Sequence, residues 1–330
     1  MGIVVRKRIG LSTRLDNEPK TPVPSPQSLF PMPPWPTLSP YSKTFSTPNG
    51  DLFYYDTGKN AAAVGKPTIV LIHGLADEAD TWRHIVPGLT GAGYRVIAPD
   101  LPGFGRSLWK GRINVQRHRD AVIRLIHETG AASREHPAVF AGSSLGAGIA
   151  ELIAIQQPEL VHSLILIDGC FPFPYKLEKG LFLVMLPFVG KSWYRSFRSN
   201  HEAAWKSLYP YYHDLDAMNG TDKDFLRERV IARVESVNQE RGYFATLRSM
   251  NAFFLCGKRS IGKKIQAFPG NIHMLWGEHD RVIPPEKAGM FRSLRPDASF
   301  TLIPNTGHLP HQENPQVTVA EILRGLGTRD

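Results

Sequence analysis

The chain has 330 residues, 42% of them hydrophobic, which is enough apolar material for one large or two ordinary folded domains. Its longest apolar run, Leu181 to Val189, is about half of the roughly 20 residues a bilayer crossing requires, and its two cysteines, Cys170 and Cys256, form no C-x-x-C pair, so a reduced, cytoplasmic setting is expected. The net charge of +9 is unevenly spread, with +3 in residues 1–20 and +7 in residues 170–268; without zinc-finger spacing or an RNP-type motif it argues against nucleic acid and leaves a solvated basic surface, or one that faces anionic esters or lipid.

Arg6, Lys7 and Arg8 are not followed by the apolar stretch of a secretory signal, and Arg6 stands where a myristoylation signal after Gly2 needs Ser or Thr. Residues 19–40 hold nine prolines, a density that forbids helix and disfavours central strands. Residues 1–44 therefore read as an extended leader, with Leu29, Phe30, Met32 and Trp35 as its means of attachment to the body. From Phe45 onward short apolar runs alternate with helical stretches. Predicted strands are Leu52 to Tyr55, Thr68 to Ile72, Tyr94 to Ala98, Ala138 to Ala141, Leu164 to Ile167, Ile272 to Trp276 and Phe300 to Ile303. Between them lie helices such as Arg117 to Glu128, with Ala121, Val122, Leu125 and Ile126 on one face, and Leu145 to Ile155. This alternation predicts a mostly parallel sheet covered by helices on both faces, built from residues 45–168 and 269–330.

Residues 169–268 break the alternation. Aromatic and helical patterns replace strands there, which predicts an inserted helical cap. One helix is expected from Asp222 to Arg241, with Leu226, Val230, Val234 and Val237 at helical spacing and Thr221 capping its start. A second is expected around Phe244, Leu247, Met250 and Phe254. The run Leu181 to Leu186 reads as a buried cap helix, or, flanked by Lys176, Lys179, Lys191, Arg195 and Arg198, as an entrance for greasy substrates or a point of lipid contact. The cap's aromatic residues, among them Phe171, Phe173, Tyr175, Phe182, Phe188, Trp193, Phe197, Trp205, Tyr209, Tyr211 and Tyr212, suggest an apolar substrate pocket or simply the cap's own core.

The motif with the most chemistry is Gly142-Ser143-Ser144-Leu145-Gly146, a G-x-S-x-G sequence between a predicted strand and a predicted helix. A serine on such a junction sits on a tight turn, and Gly142 and Gly146 allow strand and helix to approach. The free N–H groups that open the helix can stabilise negative charge beside the hydroxyl. A serine hydroxyl needs an imidazole to take its proton, and the imidazole needs a carboxylate to fix its tautomer. Asp280, after the strand Ile272 to Trp276, and His308, after the strand Phe300 to Ile303, are candidates, because groups at the carboxyl ends of parallel strands converge on one crevice. Rival positions are Ser143 for the nucleophile, Asp168 for the acid, and His279 and His311 beside the proposed acid and base. His73 reads as structural, Asp100 as a brace for a turn, and Glu278 and Arg281 as partners in local salt links. None of the twelve histidines forms an H-E-x-x-H set, so neither metal nor cofactor is implied.

Across roughly residues 45–330 the chain resembles an α/β-hydrolase. It carries H-G-x as His73-Gly74-Leu75, D-x-P-G-x-G-x-S as Asp100 to Ser107, the nucleophile elbow, G-x-x-D as Gly277 to Asp280, and G-H as Gly307-His308, in family order. The resemblance implies Ser144 as nucleophile, Asp280 as triad acid, His308 as base, and the backbone N–H groups of Leu75 and Leu145 as the oxyanion hole. It also implies a mostly parallel, eight-stranded type of sheet flanked by helices, with the cap inserted.

Halide- and epoxide-opening members of that family place aspartate at the elbow, and proline-releasing peptidases of this layout usually carry tryptophan after the nucleophile; here those positions are Ser144 and Leu145. Acyl transfer from a hydrophobic small-molecule ester to water is therefore the expected reaction. Carbon–carbon bond hydrolysis, acyl transfer to another acceptor and thioester cleavage use the same triad. A weakly catalytic ligand sensor is the alternative of another class.

Overall fold

The computed structural model describes residues 33–59, 63, 65–171, 184 and 186–326, with the backbone alone described at 187 and 254–260. Eight strands form one sheet: β1 Ser42–Thr47, β2 Gly50–Asp56, β3 Ile69–Ile72, β4 Val96–Pro99, β5 Ala138–Ser143, β6 Val161–Ile167, β7 Asn271–Gly277 and β8 Ser299–Ile303, in the order β1-β2-β4-β3-β5-β6-β7-β8. β2 pairs antiparallel with β1 and β4, and every other pairing is parallel. The mostly parallel sheet expected from the sequence is thus present. β1 was not anticipated and lies partly inside the span 1–44 read as leader. Its sequence, Ser-Lys-Thr-Phe-Ser-Thr, is half-buried to exposed at the sheet edge and carries no apolar run.

The central strands alternate between two apolar layers, because successive side chains point to opposite faces. Phe140, Leu164, Leu166 and Trp276 meet the helices α2 Val115–Thr129 and α3 Leu145–Gln156 through Val122, Leu125, Ile149 and Ile153. Val139, Ile165 and Leu275 face the other layer, where Leu89 of α1 Val86–Gly91 and Ile322 of α10 Pro315–Leu326 complete the core. Each such fully buried Leu or Ile contributes roughly 1.5–3 kcal/mol relative to exposure. Leu38 is also fully buried in this layer, and the Trp35 N–H donates to Asp80 Oδ1 at 3.0 Å, so the end of the proline-rich stretch is fastened to the body. Leu29, Phe30 and Met32 lie outside the described residues.

Between β6 and β7 the chain forms α4 Pro187–Ser199, α5 His201–Lys206, α6 Gly220–Glu235 and α7 Val237–Gln266. The helix expected over Asp222 to Arg241 is two helices. Ser236, at ψ 119°, breaks the run, and its hydroxyl accepts the Gln239 N–H at 3.1 Å. Ser236-Val237-Asn238-Gln239 is an S-x-x-Q cap that the apolar spacing alone conceals. The residues around Phe244 and Met250 belong to the same 30-residue α7. The cap of α6 is Asn219, which accepts the Asp222 N–H at 3.0 Å, and not Thr221, which is already inside the helix. Of the expected Leu181 to Leu186 helix only Val184 and Leu186 are described. α8 Gly289–Leu294 follows β7, and α9 Pro310–Glu313 follows β8.

Candidate active site

The elbow is built by close approach. A Cβ on Gly142 would collide with the Gly146 carbonyl, and one on Gly146 would collide with the Ile72 carbonyl. Ser144 itself sits at φ 53°, ψ −113°, a conformation costing on the order of 1–3 kcal/mol for a residue with a side chain. Its N–H is held by the Ile167 carbonyl at 2.8 Å. From Ala138 to Ala154 every residue is buried except Ser144, which is partly accessible. Strand and helix are thus sunk in the core, and the strained turn lifts one residue to the surface. Gly169 was not singled out from the sequence, yet a Cβ there would stand 2.6 Å from the Ser144 carbonyl oxygen, so it is a further small residue the elbow requires.

The proposed oxyanion donors flank this serine. A Cβ on Gly74 would lie 3.5 Å from the Ser144 Cβ, which places the loop carrying Leu75 beside the hydroxyl. Among the described residues neither the Leu75 nor the Leu145 N–H has a hydrogen-bond partner. His73 fixes the loop from beneath. Its Nδ1 bonds the Gly74 carbonyl at 2.8 Å, and its Nε2 accepts the Leu101 N–H at 2.9 Å. These bonds require the neutral ring, and complete burial, the largest influence, pushes its pKa down accordingly. Asp100 braces the neighbouring loop by accepting the N–H groups of Ala79 at 2.6 Å and Arg106 at 2.7 Å.

Asp280 and His308 form a buried pair, with Nδ1 and Oδ2 2.7 Å apart. The other Asp280 oxygen accepts the Val282 and Ile283 N–H groups at 2.8 and 2.9 Å. The His308 N–H donates to the Tyr211 carbonyl at 2.8 Å, and the tilted Tyr211 ring lies 5.8 Å from the imidazole. Gly307 lets that strand of chain pass, since a Cβ there would stand 2.7 Å from the His213 nitrogen. Asp168, at the end of β6, is fully buried beside Asp280 and His308. Ser144 follows β5, and the four residues occupy the carboxyl ends of four adjacent parallel strands. No hydrogen bond joins the Ser144 hydroxyl to His308 here; such catalytic contacts often tighten only around substrate.

The rival histidines have other duties. His311 is fully buried and bonds Thr81 Oγ1 at 2.8 Å, while His279 stacks on His213 with ring centroids 4.2 Å apart. Glu278 accepts the Asn305 N–H at 3.2 Å and lies 3.6 Å from His279, whereas Arg281 makes no ion pair among the described residues. Ser143 is buried in β5.

The aromatic residues of the insertion divide in a way composition does not show. Trp205 and Tyr212 lie in the insertion's own core. Phe171 packs against Phe253, with centroids 5.3 Å apart. Phe188 is 89% exposed and Trp193 43% exposed, so these two face solvent and not a pocket. Phe173, Tyr175 and Phe182 are outside the described residues. The basic residues divide as well. Arg229 and Arg233 turn inward onto Glu78, Arg195 and Arg198 share Glu240, and Arg241 donates to the carbonyls of Trp109, Lys110 and Gly111.

A family model described as "Alpha/beta hydrolase family" matches residues 69–322. Lipase 1 of Psychrobacter immobilis is 26% identical over 277 residues, covering 82% of this chain and 79% of its own. A 2-hydroxy-6-oxononadienedioate/2-hydroxy-6-oxononatrienedioate hydrolase of Paraburkholderia phymatum is 25% identical, covering 83% of this chain and 90% of its own. Among solved structures, an esterase from Thermogutta terrifontis superposes with a TM-score of 0.62 at 22% identity, covering 87% of this chain and 98% of that one, and thus shares the fold. The sheet order, the strained serine turn and a family match over most of the chain agree, and this protein belongs to the alpha/beta hydrolase family.

Proposed function

We propose that the protein is a serine hydrolase that cleaves carboxylic esters of hydrophobic substrates through an acyl-enzyme intermediate. The observation that carries this reading is Ser144, the one accessible residue between Ala138 and Ala154, held in a strained conformation beside two N–H groups that have no partner among the described residues. The Ser144 hydroxyl attacks the ester carbonyl while His308 Nε2 takes its proton, and the oxyanion so formed accepts from the Leu75 and Leu145 N–H groups. The C–O bond then breaks, and the alcohol leaves with the proton from His308. Water, deprotonated by the same nitrogen, attacks the acyl-enzyme; collapse releases the acid and returns the proton to Ser144. Asp280 holds Nδ1 protonated, so that Nε2 faces the reaction as a base.

Carbon–carbon bond hydrolysis is the second reading, supported by the similarity to the Paraburkholderia hydrolase. A panel of nitrophenyl esters of graded chain length, assayed against ring-fission dienoates, separates the two. In either case a fluorophosphonate probe should label the native protein at Ser144. Ser144→Ala should abolish labelling and lower kcat by about 10⁶-fold, as removal of a triad serine does elsewhere. Absence of labelling in the folded native protein would sink the catalytic reading.

In the same proposal the substrate is met at an anionic lipid surface. Phe188, Val189 and Trp193 are exposed on α4, and Lys191 is exposed beside them. These exposed apolar side chains, interspersed with Ser192 and Ser196 and with Lys191 beside them, would meet such a surface.

A further inference from the structure

Asp168 offers more to the site than a place on the sheet. It follows β6 at φ 47°, in the left-handed region that a residue with a side chain rarely adopts. Two bonds to β7 hold it there. Its N–H donates to the Leu275 carbonyl at 3.0 Å, and its Oδ1 accepts the Gly277 N–H at 2.7 Å. Its second oxygen, Oδ2, is buried with no donor among the described residues. Carboxyl oxygens of Asp168 and Asp280 and a ring nitrogen of His308 lie within 4.8 Å of one another.

Two buried carboxyl groups this close do not both ionise. The donors decide which one does. Asp280 receives three, from Val282, Ile283 and His308, whereas Asp168 receives only the Gly277 N–H. The charge belongs on Asp280 and the proton on Asp168. We propose that Asp168 is a positioning acid that keeps its proton and donates it to the Asp280 carboxylate, so that Asp280 is held from β6 as well as from its own loop and presents Oδ2 to His308. The proposal rests on the reading of Asp280 and His308 as the working pair.

Burial first, and the Asp280 charge second, push the Asp168 carboxyl well above the ordinary carboxylate range, and Glu313 on α9 adds to this. Glu313 is itself engaged, accepting the N–H groups of Gly307 and His213 at 2.6 and 2.7 Å. His308 is the basic group that bonds Asp280; Tyr211 near Asp280, His311 near His308 and His213 near Glu313 are the other titratable groups around the cluster. A neutral donor on Asp280 spreads the carboxylate charge and weakens its hold on the imidazole proton. Asp168 therefore acts on His308 through Asp280, without touching substrate.

Infrared difference spectra of wild type and Asp168→Asn at neutral pH test the proton directly and need no turnover. A protonated-carboxyl band present in the wild type and lost in the variant is expected; its absence from the wild type overturns the proposal. Kinetics supply the second measurement. Asn can accept from Gly277 and donate to Asp280 as the protonated acid does, so Asp168→Asn should keep kcat/KM within about threefold of wild type. Asp168→Ala should be slower, and the acid limb of its kcat/KM profile should move to higher pH, because Asp280 with one donor fewer holds the His308 proton more tightly. A limb that moves to lower pH in both variants would mean that an ionised Asp168 had been removed, and equal losses in both would mean that its donor role is immaterial; either result overturns the proposal. The triad reading fails separately, through unchanged activity in Asp280→Asn.

Discussion

Arg233, on α6 of the insertion, reaches the Asp77 carboxylate at 2.6 Å, two residues beyond Leu75 of the proposed oxyanion loop. The same guanidinium bonds Glu78 at 2.7 Å, and Arg229 joins it there. One turn into α7, Gln239 donates to the Ala76 carbonyl at 3.1 Å and accepts the Gly105 N–H at 3.0 Å. The insertion is therefore tied to the backbone that carries the candidate donors. Burial would push the Glu78 carboxyl up, but Arg229 and Arg233 outweigh it and hold the group well below the usual range.

Arg233→Ala should be costly for that reason, since it leaves buried carboxylates short of a partner. A loss of about 3–5 kcal/mol is expected, read as a lower unfolding midpoint in calorimetry, together with a fall in kcat/KM for esters. Arg233→Lys should recover the charge but not the two-pronged contact, and so restore only part of either quantity. A variant with unchanged stability and kinetics would show that the tie is without consequence.

The buried histidines predict how stability responds to acid. His118 bonds Thr246 on α7 at 2.8 Å, His311 bonds Thr81 at 2.8 Å, and burial, the largest influence on each, pushes both down to about 3. Unfolded, each would titrate near about 6.5. Below that value the unfolded chain binds protons that the folded one refuses, so the stability is full above the unfolded value and is lost as pH falls toward 3. Urea midpoints measured between pH 7 and pH 4 should fall, with a limiting slope of about 1.4 kcal/mol per pH unit for each histidine. His118→Gln and His311→Gln should each flatten the slope, and a slope that neither changes would refute the assignment.

The exposed face of α4 predicts binding to phosphatidylserine-containing vesicles more than to phosphatidylcholine vesicles, measured by co-sedimentation. Phe188→Asp with Trp193→Asp should weaken binding by about tenfold or more, since each side chain otherwise buries roughly 1.5–3 kcal/mol of apolar surface. Lys191→Glu should weaken binding to the anionic vesicles alone. Arg195 and Arg198, whose charges are shared with Glu240, should matter less. Identical sedimentation of all variants would remove the lipid surface from the proposal.

Much of this molecule is local in origin and was legible in the sequence. The parallel strands are four to seven residues long, and most of them are built around a short apolar run. The serine turn announces itself because only glycine tolerates the contacts at positions 142 and 146, and the candidates Asp280 and His308 follow from strands whose carboxyl ends must share one edge. At Ser236 a cap outweighs periodicity, and at the polar strand Ser42–Thr47 an edge position does, so neither feature shows in the apolar pattern. The tertiary structure alone decided what depends on contacts between distant segments. It brought Asp168 against Asp280, turned Arg229 and Arg233 inward to Glu78, and sent Phe188 and Trp193 out to solvent. Charge and hydrophobicity are properties of a residue, whereas a shared proton, a buried ion pair or an exposed ring is a property of its neighbours.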